Sequence, residues 1–209
     1  DRFSNPGEMV IDSVGDLYVV DRGNNRIQKF NSQGVFLWEF GAAGTDPINL
    51  SNPTGIGIVP ARNVYGTDTG NHRVVKFGTA GELRGVWGEP GIGFGEFASP
   101  NSIAISASGD EVYVMDQGNS RIHRYDEEGV FLNASGTEGE GDGEFRQPGN
   151  MVVDSTGSIY VVDTGNQRIQ KLDSRAKFPR QWSPQEVGGG QFQQPQSIEI
   201  DSATGLVYI

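Results

Sequence analysis

One seven-residue pattern is written four times in this chain, and it constrains the fold more than any other feature. It reads Asp21-Arg22-Gly23-Asn24-Asn25-Arg26-Ile27, Asp68-Thr69-Gly70-Asn71-His72-Arg73-Val74, Asp116-Gln117-Gly118-Asn119-Ser120-Arg121-Ile122 and Asp163-Thr164-Gly165-Asn166-Gln167-Arg168-Ile169. The four aspartates are 47, 48 and 47 residues apart. A fixed period of that length means one supersecondary unit, stacked or set in a circle.

Each copy follows an apolar run such as Leu17-Tyr18-Val19-Val20 or Ile159-Tyr160-Val161-Val162, and precedes an alternating run such as Arg26-Ile27-Gln28-Lys29-Phe30. That arrangement predicts a β-hairpin with a tight two-residue loop, in which Gly and Asn tolerate positive φ. The Asp can accept hydrogen bonds from turn amides, or from the Arg five positions later at the start of the returning strand. The motif recurs in every repeat, as Asp21, Gly23, Asn24 and Arg26; Asp68, Gly70, Asn71 and Arg73; Asp116, Gly118, Asn119 and Arg121; and Asp163, Gly165, Asn166 and Arg168. A catalytic pair would occur once, so these residues read as structural.

In order, each repeat reads as four strands. The first opens after a proline (Pro6, Pro53, Pro100, Pro148, Pro195), the second and third flank the Gly-Asn turn, and the fourth follows another turn, as in Val35-Phe36-Leu37-Trp38. A Gly-rich connector then leads to the next proline. Three residues before each proline sits a large apolar residue, Phe3, Leu50, Phe97, Phe145 or Phe192, which suggests packing between neighbouring units. Two copies depart from the frame. The second has Pro60-Ala61-Arg62-Asn63 as its first turn, and the fourth has Pro179 within its last strand and Ala176 where the others carry Gly.

Four antiparallel strands per unit of this length is the all-β, β-propeller signature. The divisions fall at about 1–50, 51–97, 98–145 and 146–192 for four complete blades, with half of a fifth over 193–209. The run Pro-x-x-Ile-x-Ile-Asp, Gly-x-(Leu/Ile)-Tyr-Val-Val-Asp and Gly-Asn-x-Arg-Ile-Gln-Lys-Phe resembles the NHL repeat over the whole chain. The resemblance implies a propeller, most often six-bladed. It does not imply one function, because the family includes RNA-binding regulators and a peptide-amidating lyase. Four and a half blades would leave a ring with open strand edges, which are association hazards, so pairing with another chain or with further blades is expected.

Charge narrows the partners. With 16 Lys and Arg against 27 Asp and Glu, the formal net charge is −11. That disfavours nucleic acid and anionic membrane surfaces, which demand a cationic footprint. There is no apolar run near 18 residues, no signal peptide and no cysteine, so membrane spans, disulfides and thiolate chemistry are not expected; the compartment stays open.

Catalytic residues are scarce. The two histidines, His72 and His123, are too few for the histidine-rich zinc site of the related amidating lyases, and they leave the serines without a plausible base. No cofactor is expected. Glu138-Gly139-Glu140-Gly141-Asp142-Gly143-Glu144 offers oxygen ligands to Ca²⁺, as the channel does, but lacks any Ca²⁺-loop spacing and reads as a solvated connector. Gly91-Ile92-Gly93-Phe94-Gly95 falls in a connector and is a weak phosphate-loop candidate. Asn49-Leu50-Ser51 and Asn133-Ala134-Ser135 match the N-glycosylation tripeptide, although Leu50 occupies the apolar plug position.

The residues that vary within the repeated frame follow the prolines. Glu8, Thr54, Asn101, Ser102, Asn150 and Gln196 begin the innermost strands and are expected to rim one face of the central channel, either as a ligand site or as a water-filled mouth. The leading reading is a non-enzymatic binding or assembly scaffold for protein or glycan partners. The alternative is a channel-centred lyase or metal-dependent hydrolase.

Overall fold

The computed structural model describes residues 2–59, 61–177, 180–182, 192–201 and 204–209. Pro60 and Pro179, singled out above, lie outside the described residues. Two compact units are present, residues 1–103 and 104–209, and each is described by itself.

The first unit holds two four-stranded antiparallel sheets with the strands in sequence order: β1 (Pro6–Ile11), β2 (Leu17–Asp21), β3 (Arg26–Phe30) and β4 (Phe36–Phe40), then β5 (Ile56–Val59), β6 (Asn63–Asp68), β7 (Arg73–Gly78) and β8 (Leu83–Trp87). The sheet β9 (Pro100–Ile105), β10 (Glu111–Asp116), β11 (Arg121–Asp126) and β12 (Phe131–Ser135) begins at the end of that unit and continues into the second. A two-stranded parallel pair follows, β13 (Thr137–Glu138) and β14 (Glu144–Phe145). The second unit then holds the four-stranded sheet β15 (Met151–Val153), β16 (Ile159–Asp163), β17 (Arg168–Leu172) and β18 (Arg180–Trp182), and the hairpin β19 (Glu199–Ile200) and β20 (Val207–Tyr208). Among the described residues the only helical segments are four single turns of 3-10 helix.

The second strands are covered on both faces: β6 and β16 are buried at every residue, and β16 reads as the apolar run Ile159-Tyr160-Val161-Val162 before its aspartate. The fourth strand β4 has Phe36 and Leu37 half in solvent. In the first unit the core joins Tyr18, Val20, Ile27 and Phe40 to Leu50, Ile56, Val64, Val75 and Phe77 of the next sheet. Phe40 stacks on Phe77 with centroids 4.7 Å apart. Trp38 packs on both Tyr18 and Phe77 and donates its indole N–H to Thr79 O at 3.1 Å. In the second unit, Met115, Ile122 and Phe145 pack with Met151, Val161 and Leu172.

The apolar plugs Leu50, Phe97 and Phe145 are buried to 1% exposure or less. Each is pressed by a glycine nine residues earlier with positive φ: Gly41 (+96°), Gly88 (+97°) and Gly136 (+108°). A Cβ at these sites would lie 2.5–2.7 Å from the plug side chain. Between glycine and plug, the connector folds back on itself through parallel bridges, Ala43 with Leu50, Pro90 with Phe97, and β13 with β14. The connector is therefore a closed loop on a fixed base.

Turns on the opposite side use one device. The side-chain oxygen of Asp12, Asn31, Asp126, Asp154 or Asp173 accepts the amides two and four residues on, as with Asn31 Oδ1 and Gln33 and Val35 at 3.0 and 2.8 Å. Ala176 takes a positive φ of +57° at the place where Gly34 and Gly129 take +78° and +85°, and its methyl is buried in the core, which offsets the strain.

These glycines differ in a testable way. Gly34, at φ +78°, has open space where a Cβ would go, so Gly34→Ala should cost about 1 kcal/mol of backbone strain. Gly88→Ala adds a collision with Phe97 at 2.5 Å and should cost about 3 kcal/mol. Urea unfolding of the two variants checks the ranking; equal costs would refute the plug geometry.

Candidate functional site

The repeated motif closes each central hairpin, but not as a two-residue loop. Asp21 pairs directly with Arg26 across a four-residue loop, as Asp68 does with Arg73, Asp116 with Arg121 and Asp163 with Arg168. The Gly-Asn pair lies in the 3-10 turn. Positive φ falls on the next residue: Asn25 (+54°), His72 (+55°), Ser120 (+51°) and Gln167 (+53°). The expected turn type is thereby corrected, and glycine is needed for another reason. A Cβ on Gly23, Gly70 or Gly165 would lie 2.6–2.8 Å from the carbonyl oxygen of Ser4, Ser51 or Arg146, the residue that follows the plug. The glycine amides donate to those same carbonyls at 2.7–2.8 Å. Glycine is there for close approach.

The aspartate completes this contact. Asp21 Oδ1 accepts the Ser4 amide at 2.8 Å, and its Oδ2 accepts Asn24 Nδ2 and Arg26 Nε, both at 2.8 Å. Asp68 does the same with the Ser51 amide, Asn71 and Arg73, at 2.6, 2.8 and 2.7 Å. Asp163 does so with the Arg146 amide, Asn166 and Arg168, at 2.8, 2.9 and 2.7 Å. All four aspartates are fully buried. Burial alone would raise the Asp21 carboxyl, but the bonds from Asn24, the Ser4 amide and Arg26 outweigh it and hold the group below the ordinary carboxylate value. The motif is thus a staple that fixes the preceding connector to the sheet.

The third copy carries a variation that the pattern did not single out. Asn119 still donates to Asp116 at 2.6 Å, while Arg121 Nε donates to His123 Nε2 at 2.8 Å. His123 is fully buried, 3.8 Å from Asp116 Oδ2, and stands where the first and fourth copies have Gln28 and Gln170. Burial, aided by the Arg121 charge, pushes its pKa down to about 3. His72 sits in the second turn with Nδ1 2.9 Å from Ala98 O, a carbonyl to which it donates.

The residues expected at the inner-strand starts divide by role. Glu8 Oε2 accepts the Ile56 amide at 2.8 Å, and Asn150 Oδ1 accepts the Ile198 amide at 3.2 Å; both partners lie 48 residues on, at the same place in the next repeat. Thr54 Oγ1 bonds Thr67 and Thr69 and donates to Asn101 O at 3.0 Å, so Thr54 and Asn101 are brought together. Ser102 is buried, Asn101 is half-buried and Gln196 is exposed. A second column, not read from the sequence, crosses between sheets in the same manner. Thr69, Gln117 and Thr164 donate to the carbonyls of Pro100, Pro148 and Pro195 at 2.6, 2.9 and 2.7 Å, always 31 residues on. The constant spacing from turn to proline was its available signal.

The connectors present different tips on this shared base. Ile92 and Phe94 are 81% and 78% exposed, and Ile48 is 59% exposed. In the acidic connector, Glu144 accepts the Gly141 amide at 2.8 Å, as Glu96 accepts that of Gly93, and Glu140 pairs with Arg146. Among the described residues no group of three His, Cys, Asp or Glu side chains is placed to hold a metal ion. Of the glycosylation tripeptides, Asn133 directs its Nδ2 to Arg175 O at 3.3 Å, and Asn49 is half-buried at a connector base, where its carbonyl accepts Arg73. Several basic side chains are engaged along the third strands. Lys29 lies 2.9 Å from Asp16 and 4.8 Å above the Tyr18 ring; burial would lower its pKa, but Tyr18 and Asp16 hold it above the usual value. Lys171 lies over Tyr160, and Arg124 pairs with Glu111.

Comparison with known proteins agrees with this geometry. The NHL repeat model matches residues 3–30 and 145–172. A stretch of 58 residues is 34% identical to NHL repeat-containing protein 3 of Homo sapiens, and equally to that of Mus musculus; it is 26% of this chain and 17% of the relative. Catalytically inactive virginiamycin B lyase from Staphylococcus aureus with quinupristin superposes with a TM-score of 0.70 at 16% identity, over 95% of this chain and 60% of that one. A chain of the nidogen/laminin complex superposes with a TM-score of 0.70 at 19% identity, over 89% and 66%. At these identities the likeness is one of fold, and this chain spans less than two thirds of either structure.

Two outcomes follow from the staple. Asp163→Ala and Arg168→Ala each leave a buried charge without its partner and should each cost about 3 kcal/mol, with the double variant costing less than the sum. Strict additivity in denaturant unfolding would contradict the pairing. His123 is neutral when folded and protonates with an ordinary pKa when unfolded, so its contribution is complete above pH 6.5 and is lost as pH falls toward 3. Between pH 7 and pH 5 the loss should be about 2 kcal/mol, and His123→Gln should remove it; an unchanged acid profile in the variant would refute the assignment.

Proposed function

We propose that this β-propeller chain, which carries NHL repeats, is a non-enzymatic scaffold whose connector face binds a protein or glycan partner. The observation that carries this reading is a division of labour. Polar groups that recur from repeat to repeat are engaged in holding strands, sheets and connectors together, and variation falls on connector tips, where Ile92 and Phe94 stand largely in solvent. Large apolar side chains at 78–81% exposure on a rigid base are suited to anchoring a partner.

Within each unit the connectors, the Gly-Asn turns and the starts of the first strands lie together, because the staples bond them. On this reading Glu8, Thr54, Asn101 and Ser102 in the first unit, and Asn150 and Gln196 in the second, each belong to the connector side of their own unit. With Glu8, Thr54 and Asn150 bonded between sheets, contact is expected to rest on the connector tips, with Gln196 reaching outward. An acidic chain with its third-strand cations paired favours such a partner over nucleic acid. Among the described residues no helix is long and apolar enough to cross a membrane.

Ile92→Ser with Phe94→Ser should leave stability within about 0.5 kcal/mol, because both side chains stand largely in solvent. The pair should abolish capture of proteins or glycans that the unaltered chain retains. Metal-dependent lyase or lactonase turnover that survives purification and is lost on Asn150→Ala would overturn the scaffold reading.

A further inference from the structure

Two connectors of the first unit are bonded to one and the same turn. Asn71 Nδ2 donates to Gly44 O at 2.9 Å and Arg73 Nη2 to Asn49 O at 2.8 Å, which ties the turn to connector 41–50. His72 Nδ1 donates to Ala98 O at 2.9 Å, which ties it to connector 88–99. Both connectors join complete four-stranded sheets, β4 to β5 and β8 to β9. Ile48 at 59% exposure, Ile92 at 81% and Phe94 at 78% are therefore presented from neighbouring mounts.

The make-up of the larger tip narrows what it can meet. From Pro90 to Gly95 the chain reads Pro-Gly-Ile-Gly-Phe-Gly, so Ile92 and Phe94 stand outward with only glycine between them. Glu96 fills the inside of the loop, where its carboxylate accepts the Gly93 amide at 2.8 Å, and a Cβ on Gly91 or Gly93 would collide with it. The outward surface thus offers no polar side chain. A glycan presents hydroxyls over most of its surface, and each one buried against such a tip without a hydrogen bond is a net cost. An apolar cleft in a protein has nothing polar to lose there.

The nearby charges have one sign. Residues 41–50 and 88–99 contain no lysine or arginine, while Asp46 and Glu89 are exposed two and three residues from Ile48 and Ile92. An acidic rim around an apolar anchor is complemented by a cleft with a cationic border. It repels an anionic membrane surface, and a second copy of the same face.

We propose that the partner of the connector face is a protein whose apolar cleft, bordered by lysine or arginine, takes Ile92 and Phe94 as anchors, with Glu89 and Asp46 meeting its cations. The inference rests on the connector-face reading above and narrows it from protein or glycan to a protein of this chemistry.

β-Cyclodextrin with amino groups around one rim reproduces an apolar cleft with a cationic border, and the neutral and carboxylate-bearing forms vary that charge. Linear maltoheptaose has the same sugar units without the cavity. Each is titrated into the isotopically labelled chain and followed by NMR. The amino form should shift Ile92 and Phe94 with a dissociation constant on the order of 5 mM, about threefold tighter than the neutral form and about tenfold tighter than the carboxylate form. Phe94→Ser should weaken binding at least about fivefold. Glu89→Gln leaves the main-chain bond from Phe97 to Glu89 O in place and should reduce the preference for the amino form to less than about twofold, as should about 0.5 M salt. Equal binding of the amino and neutral forms, unchanged binding by Phe94→Ser, or maltoheptaose shifting the tips as strongly as the neutral cyclodextrin would overturn the inference while the connector-face reading stands. Shifts absent from Ile48, Ile92 and Phe94 in every titration would overturn both.

Discussion

A fully buried carboxylate that is over-bonded in a fixed geometry is what the rest of this molecule depends on. Asp68 takes an amide from the connector behind it, an amide side chain from its own turn and a guanidinium from the returning strand. A buried charge without such partners would cost several kcal/mol. With them it ties three segments separated by up to 17 residues into one rigid point. The same three bonds are made at Asp21 and Asp163, so the connectors preceding Asp68 and Asp163 stay in register.

The staples also explain why neighbouring sheets stay aligned within each unit. Glu8 and Asn150 reach forward to an amide of the next repeat, and Thr69, Gln117 and Thr164 reach forward to a proline carbonyl. Edges of adjacent first strands are thus bridged by side chains, with apolar plugs beneath. Each repeat depends on its neighbours and on little else, as expected for an array whose stability is a sum of nearest-neighbour terms. On the scaffold reading proposed above, partner contact falls to the parts that differ between repeats, the connector tips.

Much of the fold was legible in the sequence because its period and its alternation act locally. Strands on either side of each Gly-Asn pair, the prolines before first strands and the apolar plugs all follow from spacing alone. The turn itself was misread, since Gly-Asn is the signature of a two-residue loop and only the third dimension shows the carbonyl that excludes a Cβ from Gly23. The inner-strand residues were read as variable surface, whereas Glu8 and Asn150 turn out to bond an amide 48 residues away; no local rule reveals that a carboxylate and an amide can serve one purpose. His123 was seen but not weighed, because its importance comes from Arg121 and from complete burial. Ile92 and Phe94 lay in plain view within a glycine-rich run, and what was missing was the fixed base that turns a flexible-looking stretch into a presented one.

That base has a consequence for how such a molecule diversifies. In the three connectors among the described residues, the parallel bridge and the pressing glycine close the loop below residues 45–48, 92–95 and 140–143. Those four-residue stretches read Thr-Asp-Pro-Ile, Ile-Gly-Phe-Gly and Glu-Gly-Asp-Gly; the last two share their glycines, but the side chains between them are apolar in one and acidic in the other, on the same backbone mount. The mount acts as a socket, and the tip is an interchangeable cassette. An insertion placed there lengthens a loop whose ends are already pinned, so its entropic cost grows only logarithmically with length and none of it is transmitted to the sheets. If the tips bind partners as proposed, lineages of such chains can trade one ligand for another by exchanging a handful of residues, while the scaffold accumulates no record of the change.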